Sequence, residues 1–261
     1  MGLTEHAKSL ALELFNRNDN YIYAALLFNQ IHSYHFHPST SHLLTGLHCA
    51  SYFGIDEVVA TLIEMKGCNI NQRDYWGFTP LIWAARQGNQ RVLRLLLTRH
   101  DVDPDQPDDN GQTPLSWASS SGHETVVRLL LARDDIDPDS TDKSGWTPLL
   151  RASVSGCEGV VRLLLTQDDV DPDKLDNNGR TPLWWASFYG HEGVVGLLLS
   201  RNNVNPDRPD NGGQAPLSQA SLNGREAVMR LLLTREDVDP NKPIAVVEHH
   251  SGRPLFTDIK G

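Results

Sequence analysis

The sequence predicts an all-α solenoid, a row of stacked helix pairs joined by β-hairpin-like connectors, and three observations carry that expectation. The segments TPLIWAARQG, TPLSWASSSG, TPLLRASVSG and TPLWWASFYG begin at Thr79, Thr113, Thr147 and Thr181, with TGLHCASYFG at Thr45 and APLSQASLNG at Ala215, all 34 residues apart. A second apolar block follows each one in register, from VVATLI through VLRLLL, VVRLLL and VVGLLL to VMRLLL. An aspartate-rich stretch then closes the unit as DVDPD, DIDPD, NVNPD or DVDPN. One such unit cannot bury its own apolar face, whereas stacked neighbours can.

Residues 1–44 hold two helix-like stretches, TEHAKSLALELFNR and NYIYAALLFNQIH, without the repeat signature, and are expected to form an N-terminal helical cap. Six repeats follow over residues 45–248, starting at 45, 79, 113, 147, 181 and 215. In each, threonine is a good N-cap, and the proline behind it occupies the first helical position, where its missing N–H costs nothing. Small residues come next (Ala84/Ala85, Ala118/Ser119, Ala152/Ser153, Ala186/Ser187), so a neighbouring helix can approach closely. Gly88, Gly122, Gly156, Gly190 and Gly224 are expected to end this first helix in the left-handed region. The Val-Val-x-Leu-Leu-Leu block makes a second helix, antiparallel to the first, ending in cations such as Arg99, Arg133, Arg201 and Arg235 that suit its negative pole. The acidic connector turns at Asn110-Gly111, Ser144-Gly145 or Asn178-Gly179 and leads to the next unit. Residues 249–261 form a tail or vestigial cap: a seventh TPL is due at 249, but VVEHHSGRPLF brings its Pro-Leu pair four residues late. Val246, Val247, Leu255 and Phe256 either fold back over the last helices or leave an apolar end for a partner.

These residues resemble the ankyrin repeat, with its TPLH-x-A-A-x-x-G-H signature, from about Thr45 to Asp239. The resemblance implies a curved solenoid with projecting connectors and a concave face that binds other proteins. Only His48 keeps the signature histidine; Ile82, Ser116, Leu150, Trp184 and Ser218 replace it elsewhere. The style of the repeat is similar to the large ankyrin arrays of filamentous fungi, some of them attached to NOD-like receptors, whose nucleotide-binding domain has no counterpart in this sequence.

Composition narrows the function further. The net charge of −10 disfavours a nucleic-acid phosphate surface, and no stretch approaches the roughly 20 apolar residues of a membrane helix. Glu5, His6, Lys8 and Glu13 stand where a secretory signal is apolar. Cys49, Cys68 and Cys157 are scattered without metal-ligand spacing, as in a reducing compartment. A cytoplasmic location is expected, with the nucleus as the alternative.

Catalytic, cofactor and metal residues are all expected to be absent. A calcium loop starting at Asp101 needs glycine at its sixth position and glutamate at its twelfth, and finds Gln106 and Gln112. HETVV at His123 and HEGVV at His191 lack the second histidine of a zinc-protease motif, since Val127 and Val195 stand there. His32, His35, His37 and His42 read as a loop rather than a metal site. The connector carboxylates are expected to be solvated and ionised, and Arg94, Arg128, Arg162 and Arg230 to form a solvated outer face.

Function is then expected where the repeats differ. The fifth residue of the units reads Cys49, Trp83, Trp117, Arg151, Trp185 and Gln219, a broken tryptophan ladder that either packs between repeats or faces the groove. The eighth reads Tyr52, Arg86, Ser120, Val154, Phe188 and Leu222, with Tyr189 next to Phe188. At the connector tips Tyr75, Trp76 and Phe78 form one aromatic finger, and Trp146 and Arg180 follow later turn glycines. Trp and Arg are the residue types enriched in binding hot spots. The expected function is therefore a non-catalytic scaffold that binds another protein, one with a basic surface to meet the acidic connectors. The alternative is a small-molecule binder or enzyme using the aromatic groove, with Trp185, Tyr189 and Arg151 in its pocket. Oligomeric state is left open.

Overall fold

The computed structural model describes residues 45–240. The segments expected as an N-terminal cap and a C-terminal tail, and the histidines 32–42, lie outside the described residues. Within them are twelve α-helices in six antiparallel pairs: α1 Gly46–Phe53 with α2 Asp56–Ile63, α3 Pro80–Gln87 with α4 Gln90–Leu96, and α5 Pro114–Ser120 with α6 Glu124–Leu131. The array continues with α7 Pro148–Ser155 and α8 Glu158–Leu164, α9 Pro182–Tyr189 and α10 Glu192–Leu199, and α11 Pro216–Leu222 and α12 Glu226–Leu232. Helices of seven or eight residues are too short to stand alone in water. Their stability comes from packing.

Each first helix starts where the sequence places it. Thr79, Thr113, Thr147 and Thr181 sit in extended backbone, and their hydroxyls accept from the N–H three residues on at 3.0–3.3 Å. Ala215 keeps the same backbone without a hydroxyl, so α11 begins uncapped. At Thr45 the cap is reciprocal: His48 Nδ1 accepts from the Thr45 N–H at 3.0 Å and lies 2.8 Å from its hydroxyl. His48 Nε2 donates to the carbonyls of Gln72 and Phe78. Complete burial holds this ring neutral, its pKa lowered to about 4.

The Gly-His step ties one repeat to the next. Gly88 has φ 72°, and a Cβ there would lie 2.6 Å from the His123 ring. The bare backbone lets His123 reach over and donate from Nε2 to the Arg86 carbonyl at 3.0 Å. Gly156 and His191 repeat the arrangement on Val154. The zinc-like HExxV segments thus serve as inter-repeat ties that satisfy carbonyls at the end of a first helix.

One apolar core runs the length of the array, from Leu47 through Leu93, Leu130 and Leu164 to Leu232. The small residues lie where first helices meet: Ala84, Ala118, Ala152, Ala186 and Ala220 are fully buried. Neighbouring first helices accordingly touch more extensively than neighbouring second helices. The array therefore curves with its first helices inside. Arg99 and Arg235 are more than dipole cations: each donates to the last carbonyl region of the preceding second helix, Ile63 or Leu199, and grips Asp101 or Asp237 with two bonds.

The connectors are tight turns rather than true hairpins, and no strand is present among the described residues. In each, the N–H of an aspartate donates to the carbonyl four residues on, as from Asp108 to Gln112 at 2.9 Å. The turn tips also bond to one another: Asp109, Lys143, Asn177 and Asn211 each donate to a carbonyl of the preceding turn, at 2.9–3.2 Å. The row of fingers is a single hydrogen-bonded edge.

Candidate functional site

The connector aspartates fall into separate classes, which corrects the expectation that solvent keeps them all ionised and unremarkable. Asp74, Asp108, Asp142, Asp176 and Asp210 are turn residues whose Oδ1 accepts from the N–H groups two and four residues on, at 2.8–2.9 Å. Their second oxygen faces inward. It accepts the indole N–H of Trp83 from Asp74 at 2.9 Å, of Trp117 from Asp108 at 3.1 Å and of Trp185 from Asp176 at 3.1 Å. Arg151, standing where three other repeats carry a tryptophan, pairs with Asp142 instead. Burial pushes the Asp74 carboxyl up to about 6 even against these donors. The position-five tryptophans are therefore anchored to the turn that precedes their own helix.

Those anchors divide the expected ladder into two clusters on the inner face. In the first, Phe78 lies between Trp83 and Trp117, at ring distances of 4.8 and 5.2 Å. Trp76 meets Trp83 edge-on, and the Arg86 guanidinium lies over the Trp117, Trp83 and Phe78 rings at 4.7, 5.4 and 5.8 Å. In the second, Trp146 packs on Trp185, Trp184 stacks on Phe188, and Tyr189 stacks on Trp185. Arg151 lies over Trp146 at 4.9 Å, and Arg180 over Trp184 and Trp185 at 4.5 and 4.9 Å.

The candidates differ in what they present to solvent. Tyr75 and Tyr189 are open, at 55% and 42% exposure. Trp76, Arg86, Trp117, Trp146, Arg151, Arg180 and Phe188 are half-buried and line the groove. Phe78, Trp83 and Trp185 are buried walls behind them. The aromatic finger is thus divided: Tyr75 points out while Phe78 packs inward. Trp76, Phe78, Trp83, Arg86, Asn110, Gln112 and Trp117 surround an open concavity of about 260 Å³.

Sequence reasoning passed over the job of Trp184. It occupies the signature histidine's position, and its indole N–H donates to the Gln214 carbonyl at 3.0 Å, as His48 does to Phe78. The substitution of Trp for His, thirty residues before its acceptor in both cases, was the available signal.

A further row of acids lies between repeats. Asp139 is held by Lys174 at 2.8 Å and Asp173 by Arg208 at 3.7 Å. The same register gives Asp105 a serine, Ser140, where the other two acids have a cation. There Asp105 Oδ1 and the Ser140 hydroxyl are both buried without a partner among the described residues. Burial raises the Asp105 carboxyl to about 6, although the Asp137 N–H that donates to it pulls the other way. Because the folded value is raised, the ionised carboxylate costs stability above pH ~6, and the cost vanishes below pH ~4. Ser140→Lys supplies the missing cation and is expected to add about 1 kcal/mol at pH 7, screening of a half-exposed group included. The gain is expected to disappear at pH 4, as urea titrations at the two pH values would register. An equal gain at both would show that the lysine acts through packing alone.

Against known proteins, the family model described as ankyrin repeats (3 copies) matches residues 16–108, 100–176 and 166–243. No curated protein matches the chain.

Proposed function

The chain belongs to the ankyrin-repeat family, whose repeats are generally protein–protein interaction modules, and from that premise we propose that it is a non-catalytic adaptor that holds another protein in its concave groove. One observation carries the reading: aromatic and arginine side chains collect on the first-helix face. Trp76, Arg86 and Trp117 lie at one end and Trp146, Arg180, Phe188 and Tyr189 at the other, while the second-helix face carries exposed Arg94, Arg128, Arg162 and Arg230. Rings and guanidinium groups give large contact area with little entropy to lose. The connector fingers, joined tip to tip, form a firm wall along one side of this groove.

The acidic residues that remain exposed, including Asp101, Asp103, Asp135, Asp137, Asp169 and Asp171, lie at the base of the connectors, outside the aromatic clusters. They favour a partner with a basic surface beside the segment it inserts, and a protein partner rather than a nucleic acid or membrane. No helix among the described residues is long and apolar enough to cross a membrane. We propose the cytoplasm as its location, a reading supported by three scattered free cysteines that suit a reducing compartment. The rival reading, a small-molecule binder or enzyme, would use the aromatic concavity of about 260 Å³, which is open rather than enclosed.

The test compares wild type with Tyr75→Ala/Tyr189→Ala as bait in native cell extract, read by mass spectrometry. Both side chains are exposed, so the variant is expected to keep its fold by circular dichroism. Proteins captured by wild type and lost from the folded variant support the groove reading. An identical set from both baits overturns it and turns attention to metabolite binding.

A further inference from the structure

Arg86 differs from the other groove arginines. Arg151 pairs with Asp142, and Arg180 lies 3.5 Å from Asp210. Arg86 has no carboxylate partner among the described residues. The nearest turn acids are already engaged, since Asp74 and Asp108 each accept two backbone N–H groups and one indole N–H. The Arg86 guanidinium instead lies over the Phe78, Trp83 and Trp117 rings, beside the open concavity they line. A guanidinium engaged by rings alone keeps its N–H donors for a ligand, and their fork matches a carboxylate held by two parallel bonds. Half-buried among three rings and with no counter-charge among the described residues, the cation attracts an anion more strongly than a fully solvated one does.

We propose that this concavity is a subsite for an aspartate or glutamate side chain in an extended segment of the partner protein, with Arg86 gripping the carboxylate and Trp76 and Trp117 receiving an adjacent apolar side chain. The proposal rests on the groove reading above and adds a sign to it. The acidic connector bases face a basic partner surface, whereas the groove takes an acid. Asn110 on the rim supplies an amide for the peptide backbone.

A phage-displayed library of random heptapeptides, fused through their C-termini and panned against the full chain, tests this directly. Wild type is expected to enrich peptides with a fixed Asp or Glu next to an apolar residue. Synthetic copies with blocked termini are expected to bind Arg86→Gln at least about tenfold more weakly. Glutamine in place of the peptide acid is expected to produce the same loss. Arg86→Lys, which keeps the charge but not the planar fork, is expected to fall between. The Arg86 carbonyl that anchors His123 is backbone, so the tie survives these substitutions. Enriched peptides without a fixed acid, or acidic peptides indifferent to Arg86→Gln, overturn the subsite while leaving the adaptor reading in place. Failure to enrich any peptide overturns both.

Discussion

Asp176→Ala is expected to lower the stability of the array by about 3–5 kcal/mol, one of the two largest effects of any single substitution considered. The carboxylate is 4% exposed and holds three donors: the N–H groups of Asn178 and Arg180, at 2.8 and 2.9 Å, and the Trp185 indole N–H at 3.1 Å. Alanine leaves all three without a partner in a place water reaches poorly, and each orphaned donor costs roughly 1–3 kcal/mol. Asp176→Asn should lose about half as much. Its amide oxygen can keep the two backbone bonds, but its NH2 then faces another donor, the indole. Urea titrations followed by circular dichroism and tryptophan fluorescence would rank the three proteins. In a repeat array local loss can also split the transition, because each unit is stabilised through its neighbours. A loss below about 1 kcal/mol for the alanine variant would mean that the turn stands without its carboxylate.

The second large effect is expected at the other end of that bond. Trp185→Ala should cost about 3–5 kcal/mol, the range for emptying a large aromatic site. The ring is 9% exposed, packs on Trp146, Trp184, Phe188 and Tyr189, and ties back to Asp176. Because the two residues share a bond, the double variant should lose less than the sum, by at least about 1 kcal/mol. Tyr189→Ala, at 42% exposure, should stay within about 1 kcal/mol of wild type. Partner binding lost by Tyr189→Ala therefore reports recognition, whereas the same loss in Trp185→Ala is inseparable from unfolding. A Trp185→Ala protein as stable as wild type would return that ring to the interface.

These expectations show where reading the chain residue by residue succeeds. The period, the threonine caps, the proline at the first helical turn and the Gly-His step are local: each is satisfied within a few residues or at one fixed offset. The six starts from Thr45 to Ala215 are all legible, and even the missing cap of Ala215 can be seen from its lack of a hydroxyl. The candidate site was legible as a set of residue types. Arg86, Trp146, Arg180 and Tyr189 stand out because they break the repetition, and Trp117 because it belongs to the tryptophan ladder.

The division of labour among those residues was not legible. Phe78 and Tyr75 sit three positions apart at one tip, yet one is buried between two tryptophans and the other is open. Identical aspartates proved to be turn caps, exposed surface charges or half-satisfied inter-repeat acids, according to which oxygen meets which neighbour. The sequence by itself determined the repeat, the helix pairs and the family. Only the tertiary structure decided that Trp83 and Trp185 are walls, that Asp142 neutralises Arg151, and that Arg86 meets rings and no acid among the described residues. The physical reason is distance. Periodicity specifies contacts inside a unit, but burial and charge pairing depend on side chains that meet across units, some thirty-odd residues away in the chain.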